Sequence, residues 1–271
     1  ASIYLSGKFK PRERHKITIA GNLVDKFGQR LEQPDALSFT TGDYDPFVHV
    51  PLESGVLEAD APRRMPIYFR NAEKARLVSK PLGERDVAAY LGHDDYWDRD
   101  ELLLDDFPGA TTRALRVSGR PNRRVVERVD LGKLLGGKGR GEVALELQTG
   151  LKNRRYRSGI EVQRLVVRVT DLAITAKYAP HSSLVWVTSL RSGKPVPGAR
   201  VAIWRPKGDK PLWTGVTDAG GLAAAPGVSK LAGGRDENHK FIFFADKDGD
   251  RSYVLSGTQG GLSPWEFGIT G

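Results

Sequence analysis

The chain has 271 residues, no cysteine and a formal net charge of +9 at pH 7. The missing thiol excludes disulfides, thiolate metal sites and cysteine nucleophiles, and no apolar run approaches the roughly 18 residues that a membrane-spanning helix needs. With 39% apolar residues, 31 Gly and 16 Pro, the chain is long enough for more than one core and dense in turns.

The first residue is Ala1 rather than Met and no leader segment is visible, so the chain reads as a piece of something longer. Ile3-Tyr4-Leu5, Lys16–Ala20 and Leu37–Thr41 are short β-branched or aromatic runs and predict strands, with a turn over Asn22–Gly28. About forty residues are too few for an independent core, so this stretch reads as the tail of a module. TTGDYDP, Thr40–Pro46, reads as a linker.

Val48–Val50, Pro66–Arg70 and Ala75–Val78 predict strands, and Val87, Tyr90 and Leu91 lie at helical spacing within Gly83–Leu91. HDDYWDRDELLLDD, residues 93–106, holds seven acids and one arginine and reads as a second helix or an irregular insertion. Strands follow at Arg124–Val129, Gly141–Gln148 and Gln163–Val169. Residues 113–168 hold fifteen Lys or Arg against five acids. An acidic segment followed by a basic one is either self-complementary or steers a charged partner. The plainer expectation is solvated sheet faces, and Glu142–Leu147 alternates as a strand.

Leu172–Lys177, Leu184–Leu190, Ala199–Trp204, Leu212–Val216, Lys240–Ala245 and Arg251–Leu255 predict further strands, with Leu184–Leu190 apolar enough to be central in a sheet. Two prolines and two glycines in Gly193–Gly198, GKPVPG, forbid a helix there. Beyond them Ala199, Val201 and Ile203 alternate with Arg200, Ala202 and Trp204, which predicts a strand buried on one face. About seven strands in about 100 residues describe a β-sandwich.

Few patterns carry chemistry. In DKDGD, Asp246, Asp248 and Asp250 alternate as in a calcium loop, but Arg251 and Gly257 stand where that loop needs a glycine and an acid. An Asp-Gly hairpin turn is the better reading. GGKGRGE, Gly136–Glu142, lacks the Ser or Thr after Lys138 that a phosphate loop requires. His93 with Asp94, Asp95 and Asp98 offers a metal or acid–base cluster, but His15, His49, His93, His181 and His239 are spread one at a time. No Gly-x-Ser-x-Gly elbow is present, and nothing raises a carboxylate pair above background. LKNRRYRSG, Leu151–Gly159, sets one tyrosine among basic residues and reads as a basic turn rather than a nucleic-acid site.

The segment VTDLAITAKYAPHSSLVWVTSLRSGKPVPGARVAIW, followed by WTGVTDAGGLAAAPG and FIFFADKDGDRSYV, closely resembles bacterial alpha-2-macroglobulins over Val169–Val254. MPIYFRNAEKARL and RVVERVDLGKLL resemble the macroglobulin-like domain before it, and ITIAGNLVDKFGQRL with LSFTTG the last strands of a bacterial immunoglobulin-like module. The resemblance implies a mainly β chain of tandem antiparallel β-sandwich domains, macroglobulin-like and fibronectin/immunoglobulin-like, with small helical insertions. It divides the chain into residues 1–45 (end of an immunoglobulin-like module plus linker), 46–170 (a sandwich with a helical insertion) and 171–271 (a second sandwich).

The family implies a periplasmic or envelope protease inhibitor, compatible with a lipid anchor in the full-length protein, that cages a protease after bait cleavage. Without cysteine, no thioester lies in this chain, and no bait segment is visible. The expected role is an N-terminal scaffold with no catalytic, cofactor or metal residue. Its expected partners are the other domains of its parent chain and, through the full-length protein, proteases, with no nucleic acid and no membrane-spanning segment. Segment 93–106, with Tyr96, Trp97 and Leu102–Leu104, is the expected interdomain contact surface. The alternative is a surface adhesin or carbohydrate-binding sandwich using Trp204, Trp213 and Trp265. A nucleic-acid binder ranks last, because residues 171–271 hold twelve Lys or Arg against nine acids.

Overall fold

A computed structural model describes residues 6–31, 33, 35–51, 54–91, 103–136, 139–152, 160–233 and 240–256. The chain is mainly β, built from several antiparallel sheets. Strands β1 (Arg14–Ile19) and β2 (Asp35–Thr40) pair as an antiparallel ribbon with His15 opposite Phe39. Phe9, His15 and Phe39 cluster edge-to-face and tilted on one side of it, and nothing in the ribbon is fully buried.

The next sandwich holds β3 (Phe47–His49), β4 (Ser54–Glu58), β5 (Arg64–Arg70), β6 (Lys74–Leu82), β7 (Thr111–Arg116), β8 (Val125–Asp130), β9 (Gly141–Lys152) and β10 (Ile160–Thr170). Five strands in the order β4-β10-β9-β6-β7 face three in the order β3-β5-β8. Between them lies a core of Val48, Met65, Ile67, Phe69, Leu77, Val143, Leu145, Leu147, Leu165 and Val167. Helix α1 (Glu84–Leu91) follows β6, a 3₁₀ turn covers Leu104–Asp106, and α2 (Leu131–Leu134) follows β8. The Asp130 carboxylate accepts from Lys133 N–H to cap α2.

Seven strands make the last sandwich: β11 (Leu172–Tyr178), β12 (Ser182–Ser189), β13 (Arg200–Trp204), β14 (Trp213–Val216), β15 (Leu222–Pro226), β16 (Ile242–Lys247) and β17 (Asp250–Leu255). The orders are β11-β12-β15 and β14-β13-β16-β17, so β12 is central as expected. Helix α3 (Val228–Ala232) follows β15. Val185, Val187, Val201, Ile203, Phe241 and Phe243 fill this core.

β4, β7, β15, α2 and α3 escape sequence reading. β4 contains Gly55 and joins the sheet as a parallel neighbour of β10. β15, LAAAP, has weak strand propensity and owes its state to pairing with β12. The expected strand Ile3-Tyr4-Leu5 lies outside the described residues.

GKPVPG and TDAGG are two halves of one corner. The Thr217 hydroxyl donates to the Val196 carbonyl (2.7 Å) and accepts from Ala199 N–H (2.8 Å). Asp218 Oδ1 accepts from Gly220 and Leu222 N–H at 2.8 and 2.9 Å. Gly221 has φ +73°, and a Cβ there would stand 2.6 Å from the Val187 carbonyl oxygen. Gly233, closing α3 at φ +71°, has no atom of the described residues within 4 Å of where its Cβ would stand. Gly233→Ala therefore carries the left-handed backbone cost alone, about 1–2 kcal/mol. Gly221→Ala adds a backbone clash and is expected to cost clearly more, read as the difference in urea midpoints of the two variants.

Candidate functional site

The site that emerges is a junction between the two sandwiches. In β13 both faces are buried, which corrects the one-face expectation: Val201 and Ile203 enter the last core, while Ala202 and Trp204 turn to the other side. β16 does the same with Phe243 and Ala245 inward and Ile242 and Phe244 outward. These outward residues, with Tyr253, pack on Val78, Leu82, Ala144 and Val166 of the preceding sandwich, on Val87 and Ala88 of α1, and on Leu104. The five-stranded sheet is thus covered on both sides. Glu142 and Glu146, on the face expected to be solvated, are 1% and 0% exposed.

The buried charges are met from across the junction, from flanking turns or, for Glu146, from the neighbouring strand. Arg251 reaches Glu142 Oε2 through Nη2 at 2.7 Å and Nε at 2.9 Å, and also donates to the Leu82 carbonyl. Arg168 donates to the Tyr253 carbonyl and lies over the Tyr253 ring, 4.4 Å from its centroid. Asp250 Oδ2 accepts from Arg140 at 3.1 Å and from Asp171 N–H at 2.9 Å. Glu84, at the start of α1, accepts from Arg200 at 2.5 Å and from the Trp204 indole at 3.1 Å. Lys207 N–H donates to the Ala88 carbonyl at 2.8 Å, near the end of α1. On the same face Glu146 accepts from Arg164 and from Leu104 N–H, both at 3.1 Å.

Burial raises the Glu142 pKa, and the Arg251 hydrogen bond and charge offset this only in part. Burial pushes Tyr253 up to about 12. The linker is a single residue: β10 ends at Thr170, β11 starts at Leu172, and Asp171 stands between. Thr170 is fully buried, and its hydroxyl accepts from Leu172 N–H at 2.9 Å. Asp171 Oδ1 accepts from Arg191 N–H. VTDL therefore pins the turn from one sandwich into the next.

The ribbon is attached differently, through exposed polar groups. Arg12 grips Asp43 with two bonds of 2.6 and 2.8 Å. Asn122 donates to Asp43 and accepts from Tyr44 N–H, while Asn71 donates to the Tyr44 carbonyl (2.6 Å) and to Asn122. Arg70 lies between the Tyr44 and Phe47 rings and donates to the Asp45 carbonyl. The Arg12 and Asn122 hydrogen bonds hold the Asp43 carboxyl down at about 2.

Other sequence candidates disperse. Asp248 and Gly249, both at positive φ, form the two-residue turn of a hairpin in which Lys247 faces Asp250, and Asp250 is committed to Arg140. Among the described residues no group of three His, Cys, Asp or Glu side chains is placed to hold a metal. From the acidic segment, Leu104 enters the junction core and Asp105 pairs with Arg76. His93, Asp94, Asp95, Tyr96, Trp97, Asp98 and Leu102 lie outside the described residues, as do most of LKNRRYRSG, Lys138 of GGKGRGE, His239 and Trp265. Trp204 is 5% exposed and Trp213 packs against the last core, so neither offers a sugar platform. Sequence reasoning missed the junction roles of Glu84, Glu142, Asp250 and Arg251. The available signal was the unbroken apolar runs VAIW and FIFFA, which leave no polar face.

Residues 169–271 match the family described as bacterial alpha-2-macroglobulin MG3 domain. An alpha-2-macroglobulin homolog of the cyanobacterium Nostoc is 28% identical over 229 residues, 78% of this chain and 11% of its own length. The chain is similar to bacterial alpha-2-macroglobulins, by family model over residues 169–271 and by this relative over 78% of its length. A crystal structure of native Escherichia coli alpha-2-macroglobulin spanning domains MG0-NIE-MG1 shares the fold at TM-score 0.56 and 18% identity, over 91% of this chain and 75% of that one. Salmonella alpha-2-macroglobulin shares it at TM-score 0.59 and 12% identity, over 97% of this chain and 15% of that one. The chain thus spans about a tenth of the length of its curated relative. Among the described residues no helix is long and apolar enough to cross a membrane.

Two consequences are measurable. Arg251→Ala strands Glu142 without its cation and is expected to cost about 3–5 kcal/mol in chemical denaturation, whereas Glu142→Leu with Arg251→Met is expected to be near neutral. At the ribbon, a carboxyl with a depressed pKa stabilises the folded state above the ordinary value of 3.8 and loses that contribution as pH falls toward about 2. Amide exchange in β1 and β2 should accelerate over that window, and Asp43→Asn should flatten the pH dependence.

Proposed function

We propose that this chain is the N-terminal scaffold of a longer bacterial alpha-2-macroglobulin-like protease trap, exported to the periplasm or cell envelope. It divides into residues 1–45, 46–170 and 171–271. It performs no catalysis. The observation that carries this reading is the junction core, in which the outward faces of two sheets, a helix and the ion pairs Arg251–Glu142 and Arg200–Glu84 are committed to holding one sandwich against the next. Such an investment serves orientation. In a trap, a protease cuts an exposed bait segment and the surrounding modules close on it. Modules held in fixed relation transmit that rearrangement as bodies rather than absorbing it.

The test is protease capture by the full-length protein. Incubation with an endopeptidase should give a complex that still hydrolyses a small chromogenic peptide but no longer degrades a large protein substrate. Phe244→Asp, which buries a charge in the junction, should leave the bait cleavable and reduce this protection at least several-fold. Retention of full protection by a variant whose junction is demonstrably open contradicts the scaffold role. Degradation of the large substrate at the uninhibited rate by the wild-type full-length protein contradicts the trap.

A further inference from the structure

The last sandwich has two outward sheet faces, and among the described residues only one of them is occupied. The face of the four-stranded sheet carries Trp204 against the preceding module. The face of β11-β12-β15 is open. Register places Thr175 and Leu222 on either side of Trp186, and Lys177 and Ala224 on either side of Leu184. Leu184 is 42% and Trp186 43% exposed. A solvated antiparallel face normally alternates polar side chains outward. Here a leucine and a tryptophan stand at the centre of the sheet, with Lys177 as the only charge among these positions, on an edge strand. The Trp186 indole donates to the Gly220 carbonyl at 3.2 Å, so its polar atom is already satisfied and its ring faces outward as apolar surface.

We infer that this face is a docking surface for another β-module of the same longer protein, one outside residues 1–271. This rests on the reading of the chain as part of a longer macroglobulin. Three observations select that occupant. The curated relative is so much longer that this chain covers only 11% of it, so most of such a protein consists of further chain that must pack somewhere. The opposite side of the same sandwich already receives the preceding module through an outward-facing tryptophan, Trp204, hydrogen-bonded to Glu84. The open face is nearly uncharged at these positions and is likewise centred on a tryptophan, Trp186. A polyanion or a lipid headgroup would require cations there, whereas sheet-on-sheet packing requires apolar area.

The experiment is hydroxyl-radical footprinting of the full-length protein as a dilute monomer, with Phe27 as the exposed reference and Phe243 as the buried one. A benzophenone photocross-linker at the exposed Thr175 identifies what lies over the face. The expected result is oxidation of Trp186 at least fivefold slower than that of Phe27, with cross-links to a segment of the same protein outside residues 1–271. Oxidation of Trp186 at the rate of Phe27 overturns the proposal, as do cross-links to residues 257–271. Cross-links between two copies, lost on dilution, overturn it in favour of self-association. An exposed Trp186 whose fluorescence saturates with a neutral chito-oligosaccharide overturns it in favour of a sugar platform. Protease capture measured on the same preparation separates the two claims: capture with an exposed Trp186 sinks only the docking surface, and a protected Trp186 without capture sinks only the trap.

Discussion

The outward face of the β6–β9–β10 sheet sets the terms for the rest of the molecule. It carries Val78, Ala144 and Val166 beside Glu142 and Glu146, two carboxylates removed from water. A buried carboxylate without a cation is too costly to keep. Glu142 therefore demands Arg251, and Arg251 is available only when the last sandwich is seated. Glu142 Oε1 has no hydrogen-bond partner among the described residues, and the group's pKa stays raised despite the pair. The pair thus contributes little net stability and instead fixes one way of docking. The apolar side chains around it supply the affinity. The charges supply the register.

The short linker makes this arrangement nearly compulsory. With Asp171 alone between β10 and β11, the two sandwiches have no slack in which to explore other orientations. Asp250 ties the hairpin of one sandwich to the linker and to Arg140 of the other, so the same residues serve turn, linker and interface. The ribbon at the N-terminus obeys another physics. Its attachment through Asp43, Asn71 and Asn122 is exposed and polar, and water competes for each of its bonds. One junction is built to hold and the other to yield.

Much of this was legible from alternation and turn chemistry. β5, β9, β13 and the helix at Glu84–Leu91 follow from local pattern because the side chains that define each also fill a core, and the Asp248–Gly249 hairpin and the GKPVPG corner follow from turn chemistry. The exceptions share one cause. β4 and β15 are held by neighbours rather than by their own residues. Glu142, Glu146 and Arg168 read as solvated because strand periodicity reports which face a residue occupies, not what covers that face. The cover comes from Trp204, Phe244 and Tyr253, 36 to 111 residues away in sequence. The hint lay in those covering strands: runs such as FIFFA are apolar at every position, and a strand with two apolar faces needs two partners.

If the two sandwiches form one thermodynamic body, weakening one core must loosen the other. Native-state hydrogen exchange on the full-length protein carrying Phe243→Ala tests this directly, since Phe243 lies in the last core and not in the junction. The account predicts that amides of β9 and β10 lose protection together with those of β13 and β16, by similar factors. Loss of protection confined to β11–β17, with β9 and β10 unchanged, would show two independent modules in mere contact and contradict it.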